Sequence, residues 1–500
     1  MQKLQKFFTV LLSAAIVFSI LGFTPAFDKP KVDITEPVTL TWYIIGNGPQ
    51  QDTAQVEKKI HDYLMSKYKM NTSVKLICYD WGDYDQKMDI IINSRQKFDI
   101  CFTSYWTNDY YTQAPRGAFL PLNELLPAYA PKTKAILGDD FLKGSQVNGI
   151  NYAIPANKEK AQQVGLFLRK DLVDKYNMDI TKIKQFSDIE PLLARIKANE
   201  PEVEPLEVLL DDASFSMLFN FDFIGDGVDI CPRYPGVIYS DSKDMKVFNE
   251  FEKPEYMRFF KTIHKFYTLG YLCKECEYSY GQEHLSGSGE VFAALKRIYP
   301  MDTYYLNAQT GYEWIAVPLS HTVMTPLEAT GSMQAVSATS PHPERALMFL
   351  ELVNTDEYLN NLINFGVENV HYVKSGKKSI ELTDAASNYS FQMGWMFGNE
   401  LLNYALPGQS PDSWNVVEAF NAKAQPSKTL GFVFDRSNVE REIQVCNNVW
   451  REYMSELTTG TQDPEIYLPQ MIDTLKKVGS DKIIAEKQRQ LDEWLVQASK

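Results

Sequence analysis

The chain has 500 residues, 44% hydrophobic and 23% charged, the balance of a folded protein long enough for two domains of ordinary size. Its net charge of −14 argues against broad nucleic-acid binding, which needs a basic footprint. Six cysteines at this length exclude a disulfide scaffold.

Residues 1–26 read as a signal peptide. Lys3 and Lys6 precede an apolar run from Phe7 to Gly22, and Thr24-Pro25-Ala26 supplies small residues ahead of Phe27. The run is short for a membrane span, which takes about 20 apolar residues. Residues 27–37 are a polar, proline-containing tether. Val38 to Ile45 then alternates as a strand, and Gly46-Asn-Gly-Pro49 ends it. Asp52 with Gln55 resembles a capping box before a helix whose face is Val56, Ile60, Tyr63 and Leu64. Val74 to Tyr79 and Asp99 to Phe102 are further strands. Strands alternating with helices predict a parallel sheet, whose ligands bind beyond the carboxyl ends of the strands.

Ile150 to Pro155 is an extended crossing, followed by a polar gap and a second strand–helix start from Val164 to Tyr176. A chain does this when it leaves one lobe and begins another. Phe186 to Asn199 reads as a helix that Glu200-Pro-Glu-Val-Glu-Pro205 ends, since proline cannot continue it. Pro254 to Leu269 and Glu290 to Arg297 read as helices, and Trp314 to Val317 as a strand. A second crossing is expected over Thr330 to Ser337, then a helix capped by Ser340 with Ala346, Phe349, Leu350 and Val353 on one face. A third crossing is expected near Ser375. The tail is helical, with starts at Asp463-Pro464 and Ser480. The expected division is therefore 38–153 plus 338–373 in the N-terminal lobe, and 156–331 plus 376–500 in the C-terminal lobe.

Catalytic and metal motifs are missing from the sequence. Ser286-Gly-Ser-Gly289 is neither a nucleophile elbow nor a phosphate loop. Asp222 to Gly227 resembles a calcium loop only distantly, because Ile224 takes a ligand position. Cys273-Lys-Glu-Cys276 lacks the second pair that a zinc site needs, and reads as a local disulfide or two thiols. No cofactor and no metal is expected.

Several segments together resemble family 1 extracellular solute-binding proteins, the capture subunits of ABC importers. They are Tyr152-Ala-Ile-Pro155, Leu168-Arg-Lys-Asp-Leu172, Gly331-Ser-Met-Gln334 with Pro343-Glu-Arg-Ala346, and Gly366-Val-Glu-Asn-Val-His-Tyr372. The end of the chain, Gly431-Phe-Val-Phe-Asp435 through Glu486 to Trp494, resembles the DUF3502 domain of that branch, here residues 424–500. The resemblance implies an α/β, two-lobed periplasmic-binding-protein-like (type II) fold with hinge crossings. It also implies an ABC permease as partner and, most often, an oligosaccharide as the small solute carried. No nucleic-acid partner is expected, and a monomer is. The chain departs from the family in one place. Leu21-Gly22 is followed by Phe23, where lipid-anchored members carry a cysteine. A secreted carbohydrate-active enzyme and a ligand sensor for a membrane kinase are the competing readings.

A sugar offers apolar C–H faces ringed by hydroxyls, so its capture wants flat aromatics and a few polar groups. Trp395, among the glycines of Gly394-Trp-Met-Phe-Gly-Asn399, is the first stacking candidate, with Trp414 second. Tyr43 and Asn47 border the loop after the first strand, Trp81 the second, and Tyr105 and Trp106 the third. Asn157 follows the first crossing, Asn220 and Asp222 follow an apolar run, and Tyr299 sits after the segment Glu290 to Arg297. Trp42, Trp450 and Trp494 are expected in the core, and Arg169 with Asp171 as a structural ion pair.

Overall fold

The computed structural model describes residues 32–210, 212–225, 233–272 and 285–498. The signal peptide, most of the tether, and Cys273 with Cys276 lie outside the described residues. No described helix is long and apolar enough to cross a membrane.

Two sheets organise the chain. The first begins with β1 (Val38–Gly46), α1 (Thr53–Tyr63), β2 (Thr72–Asp80), α2 (Tyr84–Asn93) and β3 (Ile100–Thr103). These three strands are parallel, as their alternation with helices predicts. β4 (Ala153–Pro155) then leads out of the sheet. The second sheet is built from β5 (Gln163–Arg169), β6 (Glu204–Val208), β7 (Val291–Ile298) and β8 (Trp314–Pro318), in the order β8-β5-β7-β6. After it come α3 (Pro326–Thr330) and β9 (Met333–Val336), which returns to the first sheet and completes its order β2-β1-β3-β9-β4. β9 runs antiparallel to both β3 and β4, so the first sheet is mixed.

Residues 290–297 form β7 instead of the expected helix. Val291 through Leu295 are buried on both faces, because β7 sits between β5 and β6. A run apolar on both sides suits a central strand, and its Ala-Ala-Leu-Lys composition disguises it as helix. The capping box is likewise not made. Asp52 has no cap bond, and its carboxylate lies 3.2 Å from His371 Nε2.

The first lobe is closed by α4 (Pro343–Thr355) and α5 (Glu357–Phe365). The expected face Ala346, Phe349, Leu350 and Val353 is fully buried. Trp42 meets Phe349 and Phe397 edge-on at 5.7 and 5.6 Å, at the centre of this core. In the second lobe Arg169 and Asp171 pair at 2.6 Å, and the Arg169 Nη1 donates to the Gly289 carbonyl.

The third crossing is not near Ser375. Residues 391–404 stay with the first lobe, held by buried asparagines of α5. Asn360 Nδ2 donates to the Phe397 carbonyl (2.7 Å), and Asn361 Nδ2 to that of Leu402 (2.8 Å). Asn364 Nδ2 donates to Asn403 Oδ1 (2.7 Å) while its own Oδ1 accepts from the Met393 N–H (2.9 Å). Buried amides left unpaired are costly, so this network fixes the segment firmly.

The lobes exchange chain at one place, where three crossings meet. Gln162 and Val323 trade backbone hydrogen bonds at 3.0 Å each way, and Val323–Met324 pairs in parallel with Gln425–Pro426. The middle crossing therefore runs just before α3, earlier than Thr330. α6 (Ser413–Asn421) precedes the last one, and its Asn421 accepts from the Lys160 N–H (2.8 Å) and donates to the Lys158 carbonyl (2.8 Å). The tail, α7 (Glu440–Thr459), α8 (Pro464–Val478) and α9 (Ser480–Ala498), joins the second-lobe core. Cys446, Trp450, Met471 and Leu491 share that core with Phe260 and Ile263. Trp450 is thus core, as expected. Trp494 is half-buried against Phe432 and under the Lys143 ammonium of the first lobe.

Candidate functional site

A cleft of about 350 Å³ opens beside the crossings, within the range of small-ligand pockets. One wall is aromatic and comes from the first lobe. Trp106 lies just beyond β3, and its indole N–H donates to the Gly331 carbonyl (2.8 Å). Trp81 lies just beyond β2, and its indole N–H donates to Asn47 Oδ1 (2.9 Å). Trp81 stacks on Trp106 with centroids 6.2 Å apart and on Trp395 at 6.4 Å, with interplanar angles of 23° and 29°. Trp81 and Trp106 remain 42% and 41% exposed, so these rings form an exposed aromatic surface and not core.

Trp395 is held from behind. Its carbonyl accepts from Ser332 Oγ (2.8 Å), and the next carbonyl, of Met396, accepts from Gln334 Nε2 (2.9 Å). Gln334 is oriented in turn by the Trp42 indole N–H, which donates to its Oε1 at 2.8 Å. Core Trp42 thereby fixes wall Trp395. The glycines on either side are required. A Cβ on Gly394 would lie 2.0 Å from Asn403 Oδ1, and Gly398 has φ +68°.

The rest of the lining is mostly polar. Lys158, Glu159, Tyr299, Asp302, Tyr305, Glu328 and Glu400 line it, together with Tyr105 and Trp414. Lys158 is paired with Glu159. Asp302 accepts from the Tyr299 N–H (3.0 Å), which sets the tyrosine at the start of the helix Asp302–Thr310. Glu328 is 5% exposed and caps its own helix: Oε2 accepts from the Thr325 N–H and hydroxyl (2.7 and 2.8 Å). Its Oε1 has no protein partner. Burial pushes the Glu328 carboxyl up to about 7, against the Thr325 hydrogen bonds. Burial and the nearby Glu159 carboxylate also raise Glu400, against the pull of Lys158.

Of the residues singled out in the sequence, Trp395, Tyr105, Trp106 and Tyr299 line this cleft, and Trp414 joins them. Trp81 and Asn47 stand together at its edge. Asn157 is buried one step behind. Its Nδ2 donates to Asn399 Oδ1 (2.8 Å), and its carbonyl accepts from the Glu400 N–H (3.0 Å). Three candidates lie elsewhere. Tyr43 is buried between Tyr79 and Phe98, because both faces of the central strand β1 are covered. Asn220 sits in a left-handed turn, φ 61°, beside α-helical Met217. Asp222 is buried behind the crossings, accepting from Ser427 Oγ (2.6 Å) and Thr429 Oγ1 (3.3 Å). It borders a separate, mostly apolar cavity of about 40 Å³. Among the described residues no group of three or more His, Cys, Asp or Glu is placed to hold a metal.

Two lobes joined by three crossings, with rings and carboxyls at one cleft, are the arrangement of a binding protein. The bacterial extracellular solute-binding protein model matches residues 47–218, and the domain of unknown function DUF3502 matches residues 428–496. These two matches bear out the resemblance to family 1 extracellular solute-binding proteins of the branch that ends in DUF3502. A carbohydrate ABC transporter substrate-binding protein of Streptococcus pneumoniae is 27% identical over 477 residues, 94% of this chain and 93% of that protein. The crystal structure of the N-glycan transport solute-binding protein NgtS of Streptococcus pneumoniae matches with a TM-score of 0.77 and 25% identity, over 92% of this chain and 99% of that one. The same protein in complex with Man5GlcNAc matches at the same identity and coverage with a TM-score of 0.63. The fold is the two-lobed type II fold of these proteins.

Proposed function

We propose that the protein captures an oligosaccharide in this cleft, closes its lobes around it and hands it unaltered to the permease of an ABC importer at the outer face of the membrane. The observation that carries this is a tryptophan cluster and a set of carboxyls at one cleft. Rings suit the apolar faces of pyranoses, and carboxyl oxygens suit their hydroxyl donors. The similarity to carbohydrate-binding and N-glycan-binding relatives supports the cargo class.

Closure draws support from the comparisons as well. For one relative the TM-score falls from 0.77 to 0.63 when that relative holds Man5GlcNAc. A change of that kind, within one sequence, fits lobes that move relative to each other. In the present chain the crossings at Gln162, Val323 and Gln425 form a narrow, hydrogen-bonded hinge about which such motion can occur. A ligand touching both walls favours the closed form by its extra contacts there.

Turnover has no place in this reading, and neither does a cofactor. Phe23 leaves no thiol for a lipid at that position. A thermal-shift screen against oligosaccharides tests the proposal. A ligand at about 100 times its dissociation constant adds roughly 2.7 kcal/mol of stability. A screen without any stabilising glycan, or release of smaller sugars from the glycan, would contradict it.

A further inference from the structure

The polar wall is unbalanced in charge. Among the described residues that line the cleft, Glu159, Asp302, Glu328 and Glu400 are acidic and Lys158 is the one cation. That cation is committed to Glu159. Arg297, behind Tyr299, is also engaged: its Nε donates to Ser214 Oγ (3.1 Å), and its Nη1 lies 3.4 Å from the Tyr299 hydroxyl. Glu328 Oε1 is buried in a residue only 5% exposed and lacks a protein donor. An orphaned carboxyl oxygen in a ligand cleft calls for an O–H or N–H from the ligand. Glycan hydroxyls supply O–H donors, whereas a glycan carboxylate supplies only acceptors.

We propose that this cleft is selective for uncharged glycans and rejects those carrying a uronate or sialate at the bound sugars. The proposal rests on the oligosaccharide reading above and names the charge class of the cargo. A carboxylate entering the cleft meets four acidic side chains and no uncommitted cation among its lining residues. Burial helps Glu328 and Glu400 keep their protons near neutrality, so the repulsion is complete only at mildly alkaline pH, where like charges brought together in a partly desolvated site repel strongly, a common source of specificity.

Titration calorimetry on the full mature chain at pH 8.5, where Glu328 and Glu400 are ionised, tests this with Man5GlcNAc, a sialylated N-glycan and a hyaluronan tetrasaccharide. The expected result is saturable binding of the neutral glycan and at least tenfold weaker binding of both acidic ones. Two variants locate the cause. Glu328→Gln keeps an amide oxygen for Thr325 and turns an N–H₂ towards the cleft, and Glu400→Gln leaves that cap untouched. Each should bring the acidic glycans closer to the neutral one by about threefold or more, with unfolding temperature checked alongside. Equal affinity of the wild type for neutral and acidic glycans overturns the charge proposal and leaves the oligosaccharide reading standing. Failure of all three to bind removes the oligosaccharide reading and the charge proposal with it.

Discussion

Trp81 and Trp395, from opposite ends of the first lobe's sequence, stack with ring centroids 6.4 Å apart and an interplanar angle of 29°. Trp106 lies against both, at 6.2 and 6.3 Å. Three loops that never meet in sequence thus build one aromatic surface at the carboxyl ends of β2 and β3 and beside β9. Replacing Trp395 with alanine removes the centre of that surface. Glycan affinity should fall tenfold or more, about 1.4 kcal/mol, while the circular-dichroism spectrum stays that of the wild type. Unchanged affinity by calorimetry would take Trp395 out of the site.

Asn47 acts through Trp81. Its Oδ1 accepts the indole N–H at 2.9 Å, on an exposed loop. Asn47→Ala should weaken glycan binding by about 0.5–1.5 kcal/mol, the worth of one ordinary hydrogen bond, and leave the unfolding temperature nearly unchanged. Asn47→Asp, which keeps the acceptor, should restore most of the loss. Equal affinity of the alanine variant and wild type would mean that packing alone positions Trp81.

Gly394 carries a steric prediction. A methyl group there would stand 2.0 Å from Asn403 Oδ1, inside the asparagine network. Gly394→Ala should destabilise the protein by about 1–3 kcal/mol in urea unfolding and weaken the glycan at the same time. A stability equal to wild type would show that the turn of Trp395 yields more easily than its hydrogen bonds imply.

Asp222 should make stability depend on pH. Burial raises its carboxyl to about 6, with the Ser427 and Thr429 hydrogen bonds opposing. The folded group therefore holds its proton where the unfolded one has lost it. Its contribution is fully present below about pH 4 and is lost as pH rises through 6. Asp222→Asn removes this dependence. Between pH 4 and pH 7 the wild type should lose up to roughly 3 kcal/mol relative to the variant, read from urea unfolding at both values. A constant difference would show that Asp222 does not titrate in this range.

Much of this arrangement is legible in the residues. Alternation gives β1, β2 and β3, and the glycines around Trp395 mark a tight loop, though its ring is half-buried. What misleads is local composition. The asparagines of α5 look like a solvated face, yet Asn360 and Asn361 are fully buried and hold residues 397–404 to the first lobe. Polar side chains paired across distant segments leave no periodic trace. Glu328 was within reach, because Thr325-Pro-Leu-Glu328 is a capping box. That motif announces a helix start but not the cleft beside it. Glu400 and the Lys158–Glu159 pair reach the site only through the hinge, which no local pattern encodes.

The most direct measurement is titration calorimetry of the purified mature protein with Man5GlcNAc, followed by mass spectrometry of the recovered glycan. Saturable one-to-one binding and a glycan of unchanged mass are the expected result. A cleaved glycan, or no heat of binding to any oligosaccharide offered, would contradict it.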